Sequence, residues 1–442
     1  MQTGRLLATR IRARGVTAGL ALALALAGCT ATATHGHVPG PKRVSTSAPA
    51  PGRVPPAPAG ALTPAQIQTA YNLEPLLRDG IDGRGQTIVI VDPFGSPTIA
   101  HDLAVFDQRF GLPAPPSLRV IQPAGPVPRY QPNEGRAGAA AETTLDVDWA
   151  HVMAPGANIL LVETPTAEIE GRSGFPQIVT AEEYVIRHHL GGVISQSFGA
   201  TEPTFRSPAV IRQLRGAYQL AASPAYRVTV LAASGDNGAA GQTYNTRSFF
   251  PTPQVGWPAS DPLVTAVGGT QLNLAPDGTR LGPDVAWSGS GGGRSALFAR
   301  PSYQDGVRDV VGRARGIPDI SMDASCSSGA VIYSSFGPGP PEWSTICGTS
   351  LATPLFAGVV ALAGQKAGHP LGAINPALYR MAASHDRGIV DIREGNNTFR
   401  SRSGGMGQAV QGFAARPGYD LVTGLGTVDA ALFVPELARA AG

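Results

Sequence analysis

Short apolar runs of strand length alternate with segments of helical periodicity through most of this chain. Gln86 to Val91 reads as a strand and Ile99 to Phe110 as a helix. A helical stretch, Ala139 to Met153, ends at Pro155-Gly156 and is followed by a strand at Asn158 to Val162. Beyond it come a helix at Thr180 to His189, a strand at Val193 to Ser197 and a helix at Ile211 to Ala222. Strands at Val228 to Ala233 and Leu263 to Val267 complete the series. Strands that are apolar along their whole length need cover on both faces, and strands separated by helices run parallel in one sheet. The pattern predicts an α/β protein with a mostly parallel central sheet between helices, and sites in such sheets gather at the carboxyl ends of strands.

The 442 residues suit one large or two ordinary domains, and 43% of them are apolar. A net charge of +3 with scattered basic residues excludes the stripe or patch that nucleic acid binding requires. One basic cluster exists, Arg5, Arg10, Arg12 and Arg14, ahead of the apolar run Val16 to Ala27. That run is too short to span a bilayer comfortably, and the order of charge, apolar stretch and small residues is that of a secretory signal. Leu26-Ala27-Gly28-Cys29 resembles a bacterial lipobox, which implies lipidation of Cys29 in an exported, surface-anchored protein. Residues 30–61, rich in Ala, Pro, Thr and Ser, read as a tether. Thr63-Pro64 then starts a helix, and residues 62–442 read as one domain. The two remaining cysteines, Cys326 and Cys347, flank two strand-like runs around Gly337-Pro338-Gly339-Pro340; a hairpin there would let them bridge.

Ser350 lies in Gly348-Thr349-Ser350 before the apolar run Leu355 to Ala363. A hydroxyl at a helix N-terminus sits among unpaired amides that favour negative charge, which suits a nucleophile and its oxyanion; it also suits a helix cap. His35 and His37 lie in the tether, His101, His188 and His189 fall in helical stretches without glycine-rich framing, and His151, near a helix end, reads as structural. Glu142 and Asp146 are four residues apart on the predicted helix, hence on one face. Such a pair can share a proton and leave one member as base; alternatively it belongs to a solvated acidic turn with Asp148. Asp236, in Ser234-Gly235-Asp236-Asn237-Gly238, follows a strand and also fits a turn.

Several further segments occur in a recognisable order: Leu145-Asp146-Val147-Asp148-Trp149-Ala150-His151, Trp257-Pro258-Ala259-Ser260, Ala266-Val267-Gly268-Gly269-Thr270, Gly291-Gly292-Gly293-Arg294-Ser295 and Pro318-Asp319-Ile320-Ser321. With Gly348-Thr349-Ser350 they make the chain resemble the sedolisins, or serine-carboxyl peptidases, from Leu62 to Thr427. The resemblance implies a subtilisin-like three-layer sandwich and an acid-active endopeptidase. In it Ser350 is the nucleophile, Glu142 its general base, Asp146 the residue that tunes Glu142, and Asp236 a protonated donor at the oxyanion hole. It also implies one structural Ca2+ held by the carboxylates of Asp391 and Asp420 and the carbonyls of Ile392, Arg416 and Gly418, although the family usually has glycine where Arg416 stands. A peptide or protein substrate and a monomeric state are expected, without the long propeptide that sedolisins usually carry. Two alternatives stay open: a neutral subtilisin-type triad of Asp92, His101 or His151, and Ser350; and a non-catalytic lipoprotein that binds peptides or wall components.

Overall fold

Strand Thr87–Pro93 shows how this sequence builds three layers. Ile88 and Ile90 enter one buried cluster, Val89 and Val91 another, because successive side chains of a strand point to opposite faces. With both faces apolar, the strand is stable only between two helical layers. The structure, a computed structural model, describes residues 42–43, 58, 60–131, 135–400 and 409–441. The signal segment 1–29 and most of the tether 30–61 lie outside the described residues.

The central sheet has nine strands: β1 (Lys42–Arg43), β2 (Thr87–Pro93), β3 (Leu118–Ile121), β4 (Asn158–Thr164), β5 (Val193–Gln196), β6 (Thr229–Ala233), β7 (Thr265–Gln271), β8 (Val285–Ala286) and β9 (Ile320–Asp323). Their order is β1-β3-β4-β2-β5-β6-β7-β8, with β9 also on β7. All neighbours are parallel except β1 on β3 and β8 on β7. The path runs outward from β2 to β3 and β4, then crosses back to β5. That reversal opens a crevice at the carboxyl ends of β2 and β5.

The helices include α1 (Pro64–Ala70), α2 (Ile99–Phe110), α3 (Arg136–Met153), α4 (Phe175–Arg187), α5 (Pro208–Leu214), α6 (Gly216–Ala221), α7 (Thr349–Ala367) and α8 (Ala430–Ala440). Thr63 caps α1 with a capping box, its amide donating to Gln66 Oε1 at 2.9 Å. Two expectations change. Phe175, Pro176 and the residues after them belong to α4, where Pro176 suits the first turn. The helix expected over Ile211 to Ala222 breaks at Arg215, which turns to Asp261 and bonds both its oxygens at 2.5 and 2.8 Å, and Gly216 restarts it as α6.

Helices α3 and α7 share one face of the sheet, and their contact fixes the site. α7 is apolar on all sides and buried from Leu351 to Gly364, as a helix enclosed by other elements must be. Gly358 permits the close approach: a Cβ there would meet the Met153 Cβ at 2.3 Å. Ala at this site would gain about 1 kcal/mol of helix propensity, less than the overpacking penalty of about 1–3 kcal/mol, so glycine wins. A hairpin, β10 (Ala330–Ser334) with β11 (Glu342–Ile346), leads into α7. Cys326 and Cys347 are disulfide-bonded across its open end, with Cα atoms 4.9 Å apart.

Candidate active site

Ser350 is the second residue of α7 and stays partly exposed between buried Thr349 and Leu351. So close to the helix start, its amide has no intrahelical carbonyl to bond and remains a donor for an anion. Gly348, the residue before the helix, has φ +122°, where a side chain would be strained. Its Cβ would also lie 2.6 Å from Asp236 Oδ2. Four residues after Ser350, Pro354 has no N–H, so the Ser350 carbonyl has no intrahelical donor. Ser197 stands beside that carbonyl. Its hydroxyl donates to Asp146 Oδ1 at 2.9 Å and lies 3.4 Å from the Ser350 carbonyl oxygen.

Helix α3 delivers both Glu142 and Asp146, four residues apart on the face that meets α7. Asp146 and Asp148 are fully buried, which excludes a solvated acidic turn. Burial pushes Glu142 up to about 8; the Ser350 hydroxyl beside it pulls the other way, and Asp92, Asp236 and Glu168 push it further up. Burial also holds Asp146 well above the usual carboxylate range, with Asp92 and Glu142 adding to the effect. Asp92, at the carboxyl end of β2, is pushed to about 7 by burial, against the pull of Thr143 and with the push of Glu163. Two carboxylates about 5 Å apart repel by roughly 3 kcal/mol at an effective dielectric of about 20. Keeping a proton on an ordinary carboxyl at about pH 6 costs slightly less, near 3 kcal/mol. The cluster therefore keeps protons that exposed acids would have lost.

Asp236 follows β6 and turns toward the start of α7. Its Oδ1 accepts from the Thr349 amide at 2.7 Å and from Thr349 Oγ1 at 2.8 Å. Thr349 Oγ1 in turn accepts from the Gly235 amide at 3.0 Å. With Oδ1 committed, a proton on Asp236 belongs on Oδ2. Solvent reaches Asp236, yet protein atoms crowd it on the cleft floor, and that crowding raises its pKa against the lowering effect of the two Thr349 bonds. Asp236 and Ser350 line a cavity of about 230 Å³ with Phe198, Ala233 and Trp257. Ser350 also lines a second cavity, on the Glu142 side.

The structure thus brings Ser350, Glu142, Asp146 and Asp236 together. Among the described residues, no histidine lines either cavity. His151 is buried, with Nε2 2.8 Å from the Pro113 carbonyl and 3.4 Å from Asp107, and His101 packs edge-on to Tyr333. Asp92, considered only for a histidine triad, stands among the carboxylates instead. Ser197 and Glu168 escaped sequence reasoning. Ser197 carried a weak signal, a hydroxyl just past a strand's carboxyl end; Glu168 carried none.

In the C-terminal loop, Asp391 Oδ2 accepts from the Gly418 amide at 3.2 Å and from Arg393 Nε at 2.8 Å, while its Oδ1 is buried without a protein partner. Asp420 Oδ2 accepts from the Arg416 amide at 3.1 Å, and its Oδ1 from the amides of Val422 and Thr423, both at 2.8 Å. Asp391 thus holds the middle of residues 416–420, and Asp420 holds their start and the turn that follows. No cluster of three or more His, Cys, Asp or Glu that could hold a metal occurs among the described residues. A hard cation there would draw on two carboxylates and backbone carbonyls, and the orphaned Asp391 oxygen fits that demand. Cys29 lies outside the described residues. Among them, no helix is long and apolar enough to cross a membrane.

The raised carboxyls make stability depend on pH with a definite sign. A carboxyl whose folded pKa exceeds its unfolded value stabilises the fold fully below the unfolded value, and that contribution fades as pH climbs to the folded one. For Asp92, Glu142 and Glu168 this window runs from the ordinary carboxyl range up to about 7 or 8. The melting temperature should therefore fall between about pH 5 and about pH 8, and fall less in Glu142→Gln. A melting temperature that rises across this interval contradicts the buried cluster.

The sequence model of the subtilase family matches residues 135–386, more than half of the chain. Kumamolisin from Bacillus sp. (strain MN-32) is 32% identical over 380 residues, covering 83% of this chain and 62% of that protein. Tripeptidyl-peptidase 1 of Macaca fascicularis is 32% identical over 350 residues, covering 74% of this chain and 55% of that protein. This chain thus spans less than two thirds of the length of these curated relatives. Pseudomonas sedolisin, a serine-carboxyl proteinase solved with two molecules of pseudo-iodotyrostatin, matches with a TM-score of 0.69 and 26% identity over 87% of this chain and 100% of that one. The chain belongs to the subtilase family and, within it, to the sedolisins.

Proposed function

We propose that this protein is an acid-active serine-carboxyl endopeptidase that cleaves peptide bonds through an acyl-enzyme on Ser350. The observation that carries the reading is the joint placement of Ser350, Glu142 and Asp236 at one helix start, with no histidine among the described residues lining either cavity. Ser350 Oγ attacks the peptide carbonyl carbon while Glu142 takes the hydroxyl proton. The carbonyl oxygen gains the charge and accepts from the Ser350 amide and the protonated Oδ2 of Asp236. The C–N bond then breaks, Glu142 returns its proton to the leaving amine, and water, deprotonated by Glu142, releases the acid.

Two protonation states must coexist: Glu142 ionised and Asp236 neutral. Rate falls at low pH as Glu142 protonates, and falls at higher pH as Asp236 ionises and repels the oxyanion. Burial and charged neighbours push Glu142 up to about 8, so at acid pH only a small fraction is ionised, a stronger base for being raised; protons taken up in acid by Asp92, Glu168 and Asp236 remove their repulsion and enlarge that fraction. Asp146, held neutral by burial, avoids adding a second charge beside it.

Assayed on a mixed peptide library, Ser350→Ala should lose about 10⁶-fold in kcat. Asp236→Ala should lose about 10²–10³-fold, the usual loss for one oxyanion donor. Asp236→Asn keeps a donor that does not titrate, so the fall on the alkaline side should flatten, with a lower maximum. Equal or better cleavage by the unaltered enzyme at about pH 8 than at about pH 5 would sink the acid assignment.

The C-terminal loop supports a structural calcium ion on Asp391, Asp420 and the carbonyls of Ile392, Arg416 and Gly418. Calcium at 100 times its Kd should add about 2.7 kcal/mol of stability, read as a melting shift that a chelator reverses; no shift argues for plain acidic turns. Export and anchoring through Cys29 rest on the Arg-rich start and Leu26-Ala27-Gly28-Cys29. Mass spectrometry of the mature N-terminus should find a lipidated Cys29, and an unmodified one refutes the anchor.

A further inference from the structure

The cavity on the Glu142 side of Ser350 has a charge pattern that the cleavage chemistry leaves unexplained. It encloses about 300 Å³ and is lined by Asp92, Glu142, Glu168, Ser197, Phe198 and Ser350, with small residues between. No lysine, arginine or histidine lines it among the described residues. Asp92 is 2% exposed and its Oδ2 has no protein partner. Glu168 Oε2 and Glu142 Oε1 are also buried without one. Unpaired buried acceptors are costly, and natural structures supply each with a partner, protein or otherwise.

Glu168 is held in this wall rather than waving in solvent. It belongs to the connection between β4 and α4. Two residues on, Glu170 accepts from the Thr201 amide at 2.8 Å, Thr201 Oγ1 at 3.0 Å and Thr204 Oγ1 at 3.0 Å. Gly174, at φ +81°, lets the chain double back: a Cβ there would lie 2.4 Å from the Ala167 carbonyl oxygen and 2.5 Å from the Glu168 amide. Ile169 points to solvent between the two glutamates.

We propose that this cavity is a subsite for a basic side chain of the substrate, lysine or arginine, with Glu168 as the carboxylate that pairs with its charge. Burial holds Glu168 and Asp92 up to about 7; a lysine or arginine that enters favours the ionised form and draws the proton off Glu168, and the Phe198 ring can flank the alkyl stem. The proposal rests on the cleavage reading of Ser350 and gives that reading a substrate class. It also couples recognition to chemistry. The groups that face Glu142 are Asp92 from β2, Asp146 from α3, Glu168 from the loop and Asp236 after β6, and all of them are acidic. A bound cation offsets their repulsion and favours ionised Glu142, the form that accepts the Ser350 proton.

The test uses neutral peptides in which a single position, moved along either side of the scissile bond, carries lysine, norleucine or glutamate. kcat/KM is measured for the full chain and for Glu168→Gln at about pH 5. Binding of the same peptides to Ser350→Ala and to Ser350→Ala/Glu168→Gln is read by fluorescence anisotropy. At one position lysine should exceed norleucine by about tenfold or more on both readouts, and Glu168→Gln should bring the ratio toward one. Equal treatment of lysine and norleucine, a preference for glutamate, or a lysine preference that survives Glu168→Gln overturns the subsite. Cleavage without a charge preference leaves the peptidase reading standing and removes the subsite. Binding that prefers lysine through Glu168, without any cleavage, does the reverse. Should Glu168→Gln fail to fold, the ranking of lysine, norleucine and glutamate by the unaltered chain still decides.

Discussion

Acid buried without base is the condition on which this site rests. Asp92, Glu142, Asp146 and Glu168 lie close enough to raise one another, solvent-exposed Asp236 beside them adds to the push on Glu142, and no cationic side chain of the described residues lines the two cavities at Ser350. A carboxylate removed from water costs several kcal/mol unless it is paired. Here the cheaper course is to hold protons, and a protonated carboxyl is a hydrogen-bond donor. In the proposed mechanism that supplies both a base and an oxyanion donor from a single residue type, with roles divided by surroundings. Glu142 faces the Ser350 hydroxyl, whereas Asp236 has one oxygen tied to Thr349 and the other left to carry its proton.

The scaffold supplies this arrangement through a few backbone devices. The crossover from β4 to β5 opens the crevice where Asp92 and Ser197 end or follow their strands. Gly358 lets α7 sit tightly on α3, so the serine of one helix meets the acids of the other. Pro354 leaves the Ser350 carbonyl without its helical donor, and Ser197, already bonded to Asp146, stands beside it. Ser197 thus lies between the Ser350 backbone and the Asp146 carboxyl. Gly348 completes the set, since any side chain there would collide with Asp236.

The strands and most helices were legible in the sequence because burial on both faces writes a continuous apolar run, and α3 writes its acids at a four-residue interval. The break at Arg215 was not legible, because it depends on Asp261, 46 residues away. The same limit hid Glu168. Nothing local marks one glutamate of a polar loop as facing a cleft; that follows from Glu170 binding Thr201 and Thr204. Ser350 and Asp236 draw notice because one precedes an apolar helix and the other follows a strand, while a cap and a turn stay open for them until the resemblance to the sedolisins implies their roles. Asp92 enters the sequence reading only in the alternative triad with a histidine, since the identity of its neighbours is a property of the folded sheet.

The central claim is that Asp236 is uncharged while the enzyme works. Infrared difference spectra between the unaltered chain and Asp236→Asn, taken across the pH range of peptide cleavage, address it directly. The account expects the C=O band of a protonated carboxyl wherever cleavage is fast, fading as cleavage fades on the alkaline side. Carboxylate bands in its place throughout the active range would contradict it.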